Sequence, residues 1–200
     1  MAKESEIINP DSGVDIVIID IECTCDDAKN LPRSEMEIIE IGAVFGRLTD
    51  VSFVLVDEVR IYVRPVIHAK LTQFCISLTG ITQDVVDTAS PLSEGLKRFA
   101  GRISSNSPRV WGSWGNFDLR QFEKESLSKN ITNPLVALPH VNIKQLYARK
   151  RGHRVGLARA IRLSGLVFQG RHHSGLDDAR NIAQLLEVDG VLREAILQRV

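Results

Sequence analysis

The hydrophobic residues of the chain follow two periods, one typical of strands and the other typical of helices. Residues 14–19 form a short run that is rich in β-branched side chains and almost free of charge, which favours a buried central strand. Two further strand patterns, at 37–45 and 51–63, are joined by a turn around Gly46 and predict a hairpin. Another short strand is predicted to begin at Val110. Helices are predicted over 91–103, 117–126, 142–150, 156–163 and 177–186.

This order of elements predicts an α/β fold with a mixed sheet. The hairpin must be antiparallel, whereas the strand at Val110 returns to the sheet through a helical crossover. Residues 1–13 are polar and are expected to form a flexible N-terminal lead-in, followed by a single domain over residues 14–189. Residues 190–200 are expected to form a frayed C-terminal tail.

Composition limits the class of protein but does not name a partner. With 200 residues, 44% of them hydrophobic, the chain is long enough for one domain with a sizeable core. The formal net charge is zero, so the overall charge indicates neither a nucleic acid nor a membrane as partner. The cysteines, Cys23, Cys25 and Cys75, have a spacing that suits neither a disulfide framework nor a zinc site. Without a signal segment or an apolar run of membrane-spanning length, a cytoplasmic protein with reduced thiols is expected.

The first strand ends in two acidic residues. Asp20 and Glu22 are two positions apart, so the period of a strand places both on the same face. Two carboxylates at the end of a core strand repel each other and resist loss of water unless a group neutralises them. A divalent cation held by oxygen ligands would do so. A strand that simply runs into an acidic loop is the alternative.

Acidic and histidine residues at the edges of two other elements extend this pattern. Asp118 follows the short fourth strand, where it would otherwise serve as a helix N-cap. The start of the last long helix offers two pairs with the same spacing, His172 with Asp177 and His173 with Asp178. Paired histidines are found in zinc sites, but no histidine and cysteine set with zinc spacing accompanies them.

The helical pattern distinguishes the two aspartates. Asp178 lies on the stripe of Ile182 and Leu185, which must pack on the sheet, so Asp178 is predicted to point inward. Asp177 lies with Asn181 on a polar face and is expected to cap the helix or to support its dipole. Each acid alone has an ordinary structural explanation. Four acids and one histidine at the edges of core elements are harder to explain separately.

Five ordered motifs extend across nearly the whole chain. They are Asp20-Ile21-Glu22-Cys23-Thr24-Cys25, Glu37-Ile38-Ile39-Glu40, Phe74-Cys75-Ile76-Ser77-Leu78-Thr79-Gly80-Ile81-Thr82, Ser113-Trp114-Gly115-Asn116-Phe117-Asp118 and His173-Ser174-Gly175-Leu176-Asp177-Asp178-Ala179-Arg180-Asn181. With these motifs the sequence resembles the DEDDh exonucleases of the DnaQ-like, ribonuclease H-like fold, and within them the Eri-type and KapD-like branch. The resemblance implies that residues 14–189 form an exonuclease domain, built on a mixed five-stranded sheet flanked by helices. The spacer 115–117 is longer than in the Eri-type relatives.

The resemblance also implies a reaction and its machinery. The reaction is hydrolysis of the terminal phosphodiester of a nucleic acid in the 3′–5′ direction, which releases nucleoside 5′-monophosphates. Asp20, Glu22, Asp118 and Asp178 would bind two Mg²⁺ or Mn²⁺ ions, which suit a ligand set made only of oxygen atoms. His173 would be the general base, since an imidazole accepts a proton near neutral pH.

The same resemblance assigns residues to the substrate. The backbone N–H groups of Cys23 and Thr24 would hold the terminal 3′-hydroxyl, Phe74 would stack on the terminal base, and Phe117 would form another wall. The partner would be a single-stranded nucleic acid, with RNA favoured over DNA because the match is best with the Eri-type branch. No membrane is expected as a partner, and the sequence indicates no partner protein.

One dense basic run follows the central part of the chain. It consists of Arg149, Lys150, Arg151, His153 and Arg154, and Arg159, Arg162 and Arg171 extend it. These residues either contact the phosphates of the strand or form a solvated charged surface.

Two other functions remain open at this point. A DNA exonuclease of the proofreading or repair kind would use the same site. A KapD-like regulatory protein would act through protein contacts, although a purely binding role does not require all four acids and the histidine.

Overall fold

A mixed six-stranded sheet forms the centre of the molecule in a computed structural model, which describes residues 13–27 and 30–200. The strands are β1 (Val14–Cys23), β2 (Ile38–Leu48), β3 (Phe53–Arg64), β4 (Ser90–Pro91), β5 (Val110–Ser113) and β6 (His140–Asn142). Across the sheet they follow the order β4-β3-β2-β1-β5-β6. Strands β1, β2 and β3 are antiparallel, while β5 runs parallel to β1 and β6 parallel to β5. The predicted α/β class with a mixed sheet is confirmed.

Strand β1 lies in the interior of the sheet, and both of its faces are buried, as its β-branched run predicts. Ile16 and Ile18 belong to the core on one face of the sheet, and Val17 and Ile19 belong to the core on the other. All four side chains are fully buried. The end of β1 therefore lies at the centre of the molecule.

Eight helices cover the sheet in the part of the chain that the structure describes. They are α1 (Gln73–Thr79), α2 (Gln83–Thr88), α3 (Leu92–Asn106), α4 (Phe117–Lys129), α5 (Ile143–Arg151), α6 (Leu157–Leu163), α7 (Gly175–Val188) and α8 (Gly190–Leu197). Side chains of α5 to α8 build the core on one face of the sheet, and side chains of α3 and α4 build the core on the other. None of these helices is long and apolar enough to cross a membrane.

Two predictions about the ends of the fold need correction. The sheet has six strands and not five, because the two-residue strand β4 pairs with the end of β3, where Val63 lies opposite Ser90. The tail after Gly190 does not fray: it forms α8, whose Leu192 and Ile196 are fully buried at helical spacing. The side chain of Asp189 caps this helix by accepting a hydrogen bond from the Leu192 N–H (3.0 Å). Apart from Gly13, the predicted N-terminal lead-in lies outside the described residues.

Candidate functional site

The five predicted side chains come together. Asp20, Glu22, Asp118, His173 and Asp178 line one cavity of about 310 Å³. It lies where the end of β1 meets the first turns of α4 and α7. Residues that are up to 158 positions apart in the sequence (20 to 178) therefore share one site.

The two acids of β1 face the cavity together, as the strand period predicts. Glu22 is 8% exposed, and a β-bulge between Glu22 and Cys23 disturbs the pairing with β2 directly after it. Carboxylate oxygens of Asp20, Glu22 and Asp178 all lie within 4.8 Å of one another.

Asp118 belongs to the first turn of α4 and is 4% exposed. Its Oδ1 accepts a hydrogen bond from the backbone N–H of Ile21 (3.2 Å), which lies between the two acids of β1. This bond fixes the start of α4 against the end of β1. The side chain of Asp118 is therefore held at the cavity and does not cap the helix, whose N-cap position is occupied by Asn116.

The two aspartates at the start of α7 point in different directions. Asp178 is 5% exposed and lines the cavity. Asp177 instead binds cations outside it: its Oδ1 lies 3.3 Å from Nη2 of Arg60 and 3.2 Å from Nη1 of Arg180. The prediction that Asp178 points inward and Asp177 does not is confirmed.

A pair of glycines lets α7 approach the sheet closely. A Cβ added at Gly42 of β2 would lie 2.1 Å from both the carbonyl carbon of Gly175 and the backbone nitrogen of Leu176. These are backbone atoms, so no side-chain rotation could relieve the clash. Glu40, also on β2, accepts a hydrogen bond from the Leu176 N–H (3.1 Å). The first turn of α7 is thereby fixed against β2.

Glutamates of the second sequence motif hold the surroundings of the site in place. Glu37 is 1% exposed, accepts hydrogen bonds from the backbone N–H groups of residues 66–68, and pairs with Lys129. Lys129 also pairs with the buried Glu125 of α4. Glu40 pairs with Arg60 (3.0 Å). The sequence motif pointed to these glutamates, but their partners are too distant in the chain to be read from it.

The charges of the cavity are not balanced by the protein. In the part of the chain that the structure describes, none of the four cavity carboxylates takes part in an ion pair. Burial and mutual repulsion raise the pKa of Asp20 well above its ordinary value, that of Glu22 to about 9 and that of Asp178 to about 7. Burial raises the pKa of Asp118 to about 6.

The site has the properties that a divalent cation requires. The buried Oδ1 of Asp178 has no hydrogen-bond partner, which is costly for a carboxylate in the interior. The surrounding donors are carboxylate oxygens, the ligand type that Mg²⁺ and Mn²⁺ prefer. The residues therefore fit such ions.

Two histidines stand at the mouth of this acidic cluster. His173 has a positive φ of 64°, which is uncommon for a residue other than glycine. Its backbone N–H donates a hydrogen bond to Oδ2 of Asp178 (3.2 Å). The ring of His172 lies 4.0 Å from the ring of His173, centroid to centroid. Burial lowers the pKa of both rings, and the neighbouring charges of His172 and Arg171 lower that of His173 further. His173 is therefore neutral at pH 7 and able to accept a proton.

The predicted substrate residues are distributed unevenly around the cavity. Phe117 is 42% exposed and lines it. Trp114 also lines it, a position that the motif contained but to which the sequence assigned no role. Phe74 is 36% exposed on α1 and is not among the described residues that line the cavity.

The backbone groups predicted to hold a 3′-hydroxyl are only partly available. The N–H of Thr24 donates to the carbonyl oxygen of Glu37 (2.9 Å), so a 3′-hydroxyl would have to share or replace this bond, and the role of Thr24 stays a prediction. This bond joins the residue directly after β1 to the residue directly before β2. The role of Cys23, whose side chain is buried, stays a prediction.

The basic run divides into structural and exposed residues. Arg151 lies over the ring of Tyr147 (4.0 Å to the centroid) and pairs with Asp189 (2.6 Å), so its guanidinium has a structural role. Arg171 donates hydrogen bonds to the carbonyl oxygens of Ser77 and Leu78. Arg171 is nevertheless exposed, as are the remaining members Arg149, Lys150, His153, Arg154, Arg159 and Arg162. The predicted contact with the phosphates of a nucleic acid therefore applies only to the exposed residues of the run, and it stays a prediction.

Comparison with known proteins places this chain in a family of exonucleases. The sequence profile of the RNase_T family, described as "Exonuclease", matches residues 17–186. The chain is 35% identical over 198 residues to the 3'-5' exoribonuclease 1 of Homo sapiens, covering 92% of this chain and 54% of the relative. It is 33% identical over 195 residues to the protein of the same name from Rattus norvegicus, covering 92% of this chain and 55% of the relative. The chain thus spans about half the length of these curated relatives.

A solved structure shows the same architecture. The crystallographic structure of the nuclease domain of 3'hExo, a DEDDh family member, bound to rAMP, has a TM-score of 0.77 and 32% sequence identity to this chain. The match covers 86% of this chain and 88% of that domain. A second structure, of the recognition of a histone mRNA stem-loop by 3'-exonuclease, has a TM-score of 0.77 and 30% identity, covering 86% of this chain and 63% of that one.

Proposed function

Because the chain belongs to the exonuclease family, and within it to the Eri-type branch of the DEDDh exonucleases, we propose that it is a metal-dependent 3′–5′ exonuclease. Its substrate is RNA or another single-stranded nucleic acid, and its products are nucleoside 5′-monophosphates. One observation carries this proposal: four acidic side chains that have no ion-pair partner among the described residues line the same cavity as a neutral imidazole. RNA is favoured because the relatives named above are exoribonucleases.

The acids of the cavity would hold two divalent cations, Mg²⁺ or Mn²⁺. Asp20, Glu22 and Asp178, whose oxygens lie close together, would hold the first, and Asp20 with Asp118 would serve the second. When bound, such cations stabilise the negative charge that develops on the phosphoryl oxygens. The fit rests on the unpartnered Oδ1 of Asp178 and on the absence of a balancing lysine or arginine pair for these described carboxylates.

His173 moves the proton in the proposed reaction. A water oxygen attacks the phosphorus of the terminal phosphodiester, and the neutral imidazole takes a proton from that water. The bond from the phosphorus to the 3′-oxygen of the preceding nucleotide breaks, and this oxygen acquires a proton from solvent. The hydrogen bond from the backbone N–H of His173 to Oδ2 of Asp178 fixes the main chain that carries the imidazole beside the acids.

Aromatic side chains would hold the terminal base. We assign the nearest wall to Phe117, supported by its place in the cavity, and Trp114 lies beside it. Phe74 keeps its proposed stacking role from the family resemblance. Stacking of a base on an aromatic ring contributes about 1–3 kcal/mol per base. Replacement of Phe117 or Phe74 by alanine should therefore raise KM about 5- to 150-fold for the side chain that stacks, and an unchanged KM would exclude that side chain.

Hydrolysis of labelled strands tests the activity. A single-stranded RNA labelled at its 5′ end should be shortened stepwise from the 3′ end with Mg²⁺ or Mn²⁺, and not in the presence of a chelator. Asp20→Ala and Asp118→Asn should abolish the activity, whereas Asp177→Asn should largely retain it because Asp177 lies outside the cavity. Wild-type rates in Asp20→Ala would refute the proposed site.

Matched RNA and DNA oligomers determine the substrate class. A preference for RNA supports an exoribonuclease, and a preference for DNA supports the repair-type alternative.

We also propose a cytoplasmic location, which is supported by the three free cysteines, Cys23, Cys25 and Cys75.

A further inference from the structure

A second cavity adjoins the proposed active site and carries positive charge. It has a volume of about 380 Å³ and lies between the starts of α4 and α5. We refer to it as the basic cleft, defined by the cations Arg120, Lys144 and Arg154 and by the amides Asn116, Asn142 and Gln145.

The cations of the basic cleft are available to a ligand. Among the described residues, Arg120, Lys144 and Arg154 form no ion pair, and no acidic residue lines the cleft. Elsewhere in the described chain, exposed arginines such as Arg180 are paired with carboxylates. Three unpaired cations around one concave surface produce a potential that favours an anion.

The walls of the basic cleft are well defined. Nδ2 of Asn142 donates a hydrogen bond to Oδ1 of Asn116 (2.6 Å), which links the start of α5 to the start of α4. Oδ1 of Asn142 accepts the N–H of Gln145 and so caps α5 (2.9 Å). Because two helices of 13 and 9 residues begin here, their N-terminal dipoles add to the positive potential.

Residues that are neighbours in the chain line the basic cleft and the proposed active site. Gly115 and Asn116 line the cleft, while the next two residues, Phe117 and Asp118, line the catalytic cavity. On the other wall Arg154 lines the cleft, and the catalytic cavity begins two residues later at Gly156. We therefore expect a nucleic-acid strand whose 3′ end occupies the cavity to extend its preceding phosphates toward the cleft.

We propose that the basic cleft binds the phosphodiester backbone of the substrate strand on the 5′ side of the bond that is cut. This rests on the proposed exonuclease function and adds a site to it. Arginine forks and a lysine bind phosphate oxygens, and no aromatic residue lines the cleft to stack on a base. The contact is therefore independent of sequence. It uses only Arg154 of the basic run recognised in the sequence, together with two cations from other helices.

A charge-neutral triple variant tests the proposal: Arg120→Gln, Lys144→Gln and Arg154→Gln. Binding of a fluorescent single-stranded oligonucleotide is measured by anisotropy over a range of salt concentrations, in a chelator so that no hydrolysis occurs. Each lost phosphate contact lowers the slope of log K against log salt by about 0.7 for a single strand, so the slope should become shallower by about 2. Arg64→Gln, Lys97→Gln and Arg98→Gln form the matched control, since these exposed cations lie on β3 and α3.

A second measurement separates this proposal from the function on which it rests. The p-nitrophenyl ester of thymidine 5′-monophosphate fills the catalytic cavity but has no upstream phosphate, so its hydrolysis should be unchanged in the triple variant, while KM for an oligonucleotide rises. The charge-retaining variant Arg120→Lys with Arg154→Lys should keep the wild-type salt slope. An unchanged slope in the triple variant, or an equal loss on the ester, overturns the cleft proposal. A wild-type protein that hydrolyses neither substrate overturns the exonuclease function, and the binding experiment still decides the cleft.

Discussion

Asp178→Asn should stabilise the protein in the absence of metal while it abolishes hydrolysis. The buried Oδ1 of Asp178 has no partner, and burial among other acids raises the pKa of its carboxyl from 3.8 to about 7. The folded state thus keeps a proton that the unfolded chain loses near pH 4. Between these two values the folded state binds more protons, so its stability falls as the pH rises. Above pH 7 the full loss of folding stability is present, and below about pH 4 the stability is not reduced.

The size of the effect follows from the same values. A pKa that moves from 3.8 to about 7 corresponds to about 4 kcal/mol lost at pH 8, at 1.36 kcal/mol for each pH unit. Asparagine keeps an oxygen for the His173 N–H but places an amide nitrogen in the unpartnered position, at a cost of about 1–3 kcal/mol. The variant should therefore be more stable than wild type by about 1–3 kcal/mol at pH 8, and the advantage should vanish near pH 4.5.

Urea unfolding in a chelator at pH 8 and at pH 4.5 measures this difference. Asp177→Asn provides the matched control with the opposite sign, since Asp177 is paired with Arg60 and Arg180 and its loss should destabilise the protein slightly. Excess Mn²⁺ should stabilise wild type more than Asp178→Asn. If Asp178→Asn is less stable than wild type at pH 8 without metal, Asp178 is a structural anchor and the reasoning is refuted.

Three other substitutions test separate parts of the structure. His173→Ala should slow turnover about 10²–10⁴-fold but leave Mn²⁺ affinity, measured by calorimetry, unchanged; loss of Mn²⁺ binding would instead make His173 a ligand. Gly42→Ala should destabilise the fold by about 1–3 kcal/mol or more in urea, because the new Cβ meets backbone of α7; wild-type stability would mean that α7 can shift freely. Lys129→Met should cost about 2–4 kcal/mol in urea at pH 7, since it leaves Glu37 and Glu125 buried without their cation. The pair with Lys129 and the backbone N–H groups of residues 66–68 lower the pKa of Glu37, so the cost should shrink as the pH falls through that lowered pKa; a cost that does not change with pH would contradict the ion-pair explanation.

The sequence was most informative where a local period carried the answer. Alternation along β1 placed Asp20 and Glu22 on one face, and the apolar stripe of α7 selected Asp178 over Asp177. Both conclusions depend on neighbours within one turn or one pleat, which the sequence contains. The α/β class followed for the same reason, from the order of strong strand and helix patterns.

Features that depend on distant contacts were missed. Strand β4 is too short to show a period, and the sequence does not reveal that Val63 lies opposite Ser90. The availability of the Thr24 N–H depends on Glu37, which lies directly before β2. Arg120 belongs to the basic cleft because α4 and α5 begin side by side, although it stands alone in the sequence. A linear scan for dense basic runs finds Arg149 and Lys150 instead.

Acids of the cluster keep protons in the metal-free protein because their pKa values are raised. The pKa of about 9 keeps the carboxyl of Glu22 protonated at pH 7, and burial beside the other acids also raises the pKa of Asp20, whereas a divalent cation binds the ionised forms. Every ion that enters must therefore expel protons into the medium. The heat of a metal titration will depend on the ionisation enthalpy of the buffer, and the apparent affinity will increase with pH up to about 9. Two laboratories that work at different pH values will measure different metal requirements for the same polypeptide.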